Sequence, residues 1–108
     1  MEVEKEIDIK QNCFDELENH FDYYSENYSM RFAESFRAEF FAIVFSIPIF
    51  HLKYPECRYL PTKNKIYRCL AWGDFVIIYK IKPKTIDVLS LFHAHQNPNK
   101  LKSLRRIK

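Results

Sequence analysis

The segment Ile66–Pro98, IYRCLAWGDFVIIYKIKPKTIDVLSLFHAHQNP, holds the only glycine of the chain. Gly73-Asp74 stands between two apolar runs, which is the signal of a two-residue hairpin turn. The reading is strand Tyr67–Trp72, return strand Phe75–Ile81, a second turn at Pro83-Lys84, and a third strand Thr85–His93. The register follows from the turns: Trp72 opposite Phe75, Arg68 opposite Tyr79, Lys80 opposite Asp87 and Phe75 opposite Phe92. An opposite-charge pair at Lys80 and Asp87 favours that alignment. Because side chains alternate, Leu70, Trp72, Phe75, Ile77, Tyr79, Ile86, Val88 and Phe92 form a bulky face suited to receive helices. Cys69, Ala71, Val76, Ile78, Lys80, Asp87, Leu89, Leu91 and His93 form the other face. Its apolar middle needs cover from the tail or a partner.

Upstream, Glu4–Lys10 alternates weakly, with Ile7 and Ile9 on one side, and reads as a short strand. Asn12 is the expected cap of a first helix. Phe14, Leu17, Phe21, Tyr24 and Tyr28 then repeat at helical spacing as one aromatic stripe. Ser29 is the expected cap of a second helix, whose stripe is Phe32, Phe36, Phe40, Ile43 and Ile47. Pro48 is expected to end it, because proline disfavours helix geometry in the residue before it. The two helices are expected to pack as an antiparallel hairpin. Pro48–Pro61 reads as a long connection with a short strand at Cys57–Leu60. Residues 97–108 carry Leu101, Leu104 and Ile107 near helical spacing, which makes a short basic helix, an ordered arm or a frayed end.

A chain of 108 residues makes one domain. No apolar run approaches the roughly 20 residues of a membrane span, and the charged start MEVEKEIDIK lacks a signal-peptide apolar region, so the cytoplasm is expected. Three cysteines at irregular spacings fit reduced thiols and match no zinc pattern. The net charge of +3 hides a division. Residues 1–47 carry 11 Asp/Glu against 4 Lys/Arg, whereas residues 48–108 carry 3 against 13. A basic half of this kind can meet nucleic acid or an acidic protein segment, or can simply be solvated.

The order strand, helix, helix, three-strand meander resembles the RelE/ParE superfamily of type II toxin–antitoxin toxins. DELENHFDYYSENYSMRFAESF, YRCLAWGDFVIIYKI and LFHAHQNP carry the resemblance, which spans roughly residues 5–100. Arg68, Leu70, Tyr79, His93 and Pro98 match positions that the family favours, and Gln96 stands where an arginine is usual. The resemblance implies an α+β fold, β-α-α-β-β-β, with an antiparallel sheet packed on a two-helix hairpin. It implies a toxin of a plasmid-stabilising type, neutralised by a cognate antitoxin in a hetero-oligomer. Two activities live on such a fold. RelE-like members cut mRNA on the ribosome without a metal; ParE-like members inhibit DNA gyrase and cut no RNA themselves.

An RNase of this kind must activate a 2′-hydroxyl, stabilise negative charge and protonate a leaving oxygen. Here Val76 stands where a RelE-like enzyme often carries an arginine, and Val76, Ile78 and Leu89 occupy the face that would want cations. These departures favour the ParE-like branch and a protein that is not an enzyme. The alternatives are a metal-independent mRNA endoribonuclease using His93, His95 and Arg68, or a non-toxic member that only binds antitoxin. Histidine as a residue type suits acid and base roles near neutral pH, which makes His93 and His95 candidates, but a strand-end pair bonded to backbone or water is the simpler reading. Two histidines are too few for a metal site, and no cofactor is expected. Arg68 is a candidate target contact or a structural ion pair with Glu39. Candidate target or antitoxin contacts are Arg68, Lys80, His93, His95, Gln96, Lys100, Lys102, Arg105 and Arg106.

Overall fold

The computed structural model describes residues 5–107. Strand β1 (Glu6–Ile9) leads into helix α1 (Gln11–Asn27) and helix α2 (Met30–Phe50). Strands β2 (Tyr67–Trp72), β3 (Phe75–Ile81) and β4 (Thr85–His93) follow, and a 3-10 helix (Pro98–Arg106) ends the chain. The sheet order is β1-β4-β3-β2: the meander is antiparallel, and β1 joins β4 in parallel. The expected strand at the start is thus Glu6–Ile9, with Ile7 and Ile9 turned inward; Glu4 lies outside the described residues. Among the described residues, no helix is long and apolar enough to cross a membrane.

The hairpin is as the glycine requires. Gly73 has φ +58°, a left-handed conformation that costs a residue without a Cβ little. Trp72 pairs with Phe75, Arg68 with Tyr79 and Lys80 with Asp87. The pairing then slips at a bulge: Tyr79 faces Val88 but Ile78 faces Ser90, so Leu89 is the extra residue and Phe75 pairs with His93 rather than Phe92. One inserted residue exchanges the faces of everything beyond it. Leu91 therefore packs into the helix-side core and Phe92 into the opposite one, the reverse of the regular register.

The helix-side core joins Leu17, Phe36, Phe40 and Val44 to Leu70, Phe75, Ile77, Tyr79 and Leu91. Phe36 stacks on Trp72 at 4.9 Å between centroids. The α1 stripe is displaced from the aromatic one. Cys13 and Leu17 are buried, His20 and Tyr24 half-buried, whereas Phe14 and Tyr28 are exposed. Cys13, Leu17, His20 and Tyr24 repeat at 4, 3 and 4, so this face is equally helical in period, and the packing selects it over the one with larger rings. In α2, Ala33, Phe36, Phe40, Val44 and Ile47 are buried and Phe32 is exposed.

Ser29 caps α2 as expected, accepting the Phe32 N–H at 3.0 Å. Asn12 does not cap α1. Lys10 is the boundary residue, and the Asn12 amide lies inside the helix, donating to Glu16 Oε1 and to the Leu89 carbonyl, both at 2.9 Å. Pro48 does not end α2, which continues to Phe50. In a last turn, the missing N–H forfeits a single bond, and burial of the ring offsets it. The connection forms one bridge, Glu56 to Arg68, rather than a strand over Cys57–Leu60.

The second sheet face is closed by the chain itself. Leu101 and Leu104 of the 3-10 helix, with Cys57 and Leu60 of the connection, cover Ile78, Leu89 and Phe92. Arg105 donates to the Pro61 carbonyl at 2.8 Å and lies over the Tyr67 ring. The tail is an ordered arm with a buried apolar edge, leaving Lys100, Lys102 and Arg106 in solvent.

Candidate functional site

Arg68 is committed to the scaffold. Its Nε donates to the Lys65 carbonyl at 2.8 Å and one Nη to the Tyr54 carbonyl at 2.8 Å. It therefore staples the proline-rich connection to β2. It makes no ion pair with Glu39, whose carboxylate instead accepts the Trp72 indole N–H at 2.9 Å. Tyr79 is likewise structural: its hydroxyl donates to the His51 carbonyl at 2.7 Å, and burial raises its pKa. Lys80 lies over the Tyr67 ring rather than on Asp87. The buried Asp87 carboxylate is matched by Lys82 at 2.6 Å and Lys10 at 3.8 Å.

His93, His95 and Gln96 gather at the other end of the sheet. The His93 N–H donates to Gln96 Oε1 at 3.0 Å, and the His95 N–H donates to His93 Nδ1 at 3.2 Å. An accepting Nδ1 places the neutral ring's proton on Nε2. The His93 ring meets Phe75 edge-on, and His20 of α1 meets Phe75 from another side at 4.8 Å. Burial, then the charge of His93, lowers the His20 pKa. His20 carried a legible signal, its place on the Cys13-Leu17-Tyr24 stripe.

These two groups do not converge. Phe75 pairs with His93 and Tyr79 with Arg68. At about 3.3 Å per residue, four residues of β3 separate the arginine from the histidines by roughly 13 Å. No side chain within that span of β3 (Val76, Ile77, Ile78) is a cation. The tail cations Lys102 and Arg106 lie on the outer surface of the 3-10 helix, and Lys100, also exposed, on its edge toward α1. Among the described residues, no group of three or more metal-ligating side chains stands together.

A polar cleft of about 490 Å³ opens beside the histidine end, between α1, β4 and the 3-10 helix. Glu16 lies in it, accepting from Ser90 Oγ at 2.8 Å and from Asn12. Burial pushes its carboxyl up to about 7, against the hydrogen bonds of Ser90, the Leu91 backbone and Asn12 and the charge of Lys100. Between about 4.5 and 7 the folded protein holds a proton there that the unfolded chain has released. Stability contributed by this group is thus full at low pH and falls as pH rises through 7. Allowing for partial exposure, the loss is roughly 1–3 kcal/mol. Glu16→Gln is expected to unfold at higher temperature than the parent at pH 8 and at nearly the same temperature at pH 4.5, measured by thermal melts across pH.

Large apolar side chains remain exposed on the helices. Tyr23, Tyr28, Met30 and Phe32 surround the tip of the hairpin, and Phe45, Ile49 and Leu52 lie at the far end of α2. Exposed apolar clusters of this sort, one at each end of α2, are a mark of protein recognition.

The model of the family described as the ParE toxin of type II toxin–antitoxin system, parDE, matches residues 7–98. A solved structure titled Chromosomal ParDE TA system from P. aeruginosa is similar in fold, with a TM-score of 0.71 at 14% identity. The match covers 85% of this chain and 98% of that one. No curated protein matches the sequence. With the family model spanning most of the chain, from β1 to the start of the 3-10 helix, this protein belongs to the ParE toxin family of type II toxin–antitoxin systems.

Proposed function

We propose that the protein acts on DNA gyrase as a ParE-like toxin and is neutralised by a cognate antitoxin that covers its exposed apolar helix surface. The observation that supports this over RNA cleavage is the second sheet face, filled by Leu101, Leu104, Ile78, Leu89 and Phe92. An RNA transition state there would meet leucines where phosphoryl chemistry needs fixed cations. Arg68 supports the same reading, since its Nε and one Nη are held by backbone carbonyls of the connection. The exposed rings at the hairpin tip and the end of α2 suit an amphipathic antitoxin segment that orders on binding. The basic half would speed its approach if that segment is acidic. On this reading the protein works in the cytoplasm, where a gyrase inhibitor would meet its target.

The direct test incubates the purified chain with gyrase, ATP and supercoiled plasmid. Linear, protein-linked plasmid is expected, and it should vanish when the protein from the neighbouring reading frame is added first. Intact plasmid together with mRNA cuts in a translating extract, lost in His95→Ala, would replace this reading with the ribonuclease one.

A further inference from the structure

We propose that the cleft between α1, β4 and the C-terminal 3-10 helix is a receptor for an arginine side chain of a bound polypeptide. The cleft holds about 490 Å³, ample for a guanidinium and its stem. Glu16 is the one carboxylate in its lining. Two neighbours fix that carboxylate in place, Ser90 at 2.8 Å and Asn12 at 2.9 Å. Among the described residues, no cation stands within ion-pair distance of it. A half-buried carboxylate held by two hydrogen bonds, with Lys100 near but not in contact, has an open place for a direct ionic partner.

The rest of the lining selects the cation. Asn19 and Asn99 offer amide oxygens to several donors at once, and Phe92 and Leu101 supply an apolar floor. A guanidinium has five N–H donors in a plane, is weakly hydrated and packs well on apolar or aromatic surface. An ammonium is compact and holds its water more strongly. The approach is favourable too: α1 carries Asp15, Glu16, Glu18, Asp22 and Glu26 and no lysine or arginine. Lys100, on the opposite wall, is the one competing charge in the lining. It is exposed and on a flexible stem, so it turns to solvent when the arginine enters. The α1 wall is acidic and the 3-10 wall basic, so it is Glu16 within the cleft, not the net charge of its rim, that recognises the cation; the inference stands whether or not gyrase is the target.

The test is an NMR titration of the full chain with acetyl-arginine-amide, against the neutral isostere acetyl-citrulline-amide. Saturable shifts are expected at Asn12, Asn19 and Ser90 with arginine and none with citrulline. Binding should be roughly tenfold weaker at pH 6 than at pH 8, as the Glu16 carboxyl protonates. Glu16→Gln, which keeps an acceptor for Ser90 and Asn12, should weaken it at least about fivefold at pH 8, and Lys100→Ala should strengthen it. Equal response to citrulline, unchanged affinity in Glu16→Gln, or shifts confined to the outer carboxylates of α1 would overturn the assignment.

Discussion

Asp87→Ala is expected to lower the unfolding free energy by about 3 kcal/mol, the largest loss from any single charged residue of this chain. Asp87 is 1% exposed and stands on β4, with β1 on one side and β3 on the other. One carboxylate oxygen lies 2.6 Å from the Lys82 ammonium and 3.8 Å from that of Lys10; the other accepts the Thr85 hydroxyl at 2.9 Å. Removing the carboxylate leaves two half-buried ammonium groups facing each other across the place where β1 joins the meander. Both lysines are partly exposed and can rotate into water, which holds the loss toward the lower end of the range for broken buried pairs. Lys82→Met removes the nearer cation and leaves the carboxylate with Lys10 at 3.8 Å and the Thr85 hydroxyl, so it should cost somewhat less. Lys10→Ala should cost less, because Lys10 is farther away and already paired with Asp8 at 2.8 Å. Urea unfolding checks this as a lower midpoint at unchanged slope. A midpoint for Asp87→Ala within experimental error of the parent would show that the sheet junction does not depend on this pair.

The meander was legible because its signals are local. A lone glycine followed by aspartate fixes a turn, and a turn fixes the partners nearest to it, so Trp72–Phe75 and Arg68–Tyr79 follow directly. The bulge at Leu89 was not legible, since an extra residue in an apolar run leaves no mark on composition. Its consequence reaches the candidate site. It turns His93 toward Phe75 and Phe92 toward the tail, so the histidine end of the sheet differs from a regular ladder. The α1 stripe failed for a related reason. Two overlapping sets share one helical period, and size favoured the aromatic set, whereas packing against β4 buried the one with Cys13 and His20. Glu16 was passed over for the same cause: one position before Leu17, it reads as surface charge until the Ser90 hydroxyl and the tail enclose it. Arg68 shows the reverse limit of a motif. The family position is matched, but its Nε and one Nη donate to carbonyls of a connection whose path no periodic pattern reveals.

The double variant Leu101→Asp, Leu104→Asp is expected to release the 3-10 helix and to cost roughly 3–6 kcal/mol, the transfer value of two leucines. Both are nearly fully buried, at 2% and 4% exposure, and neither aspartate could keep its charge there. Release would also break the Arg105 bond to the Pro61 carbonyl and remove that guanidinium from over Tyr67. What is uncovered decides between the two activities of this fold. The surface beneath the tail is Ile78, Leu89 and Phe92, not a cationic groove. The variant should therefore bind a hydrophobic dye and melt at lower temperature, yet gain no cutting of mRNA in a translating extract. Lys102→Ala and Arg106→Ala, on the exposed side of the same helix, should shift stability by no more than about 0.5 kcal/mol. If the double variant instead melts like the parent, the tail is not a structural cover. If it acquires ribonuclease activity, the tail is a lid over an active face, and the gyrase reading gives way to the ribosomal one.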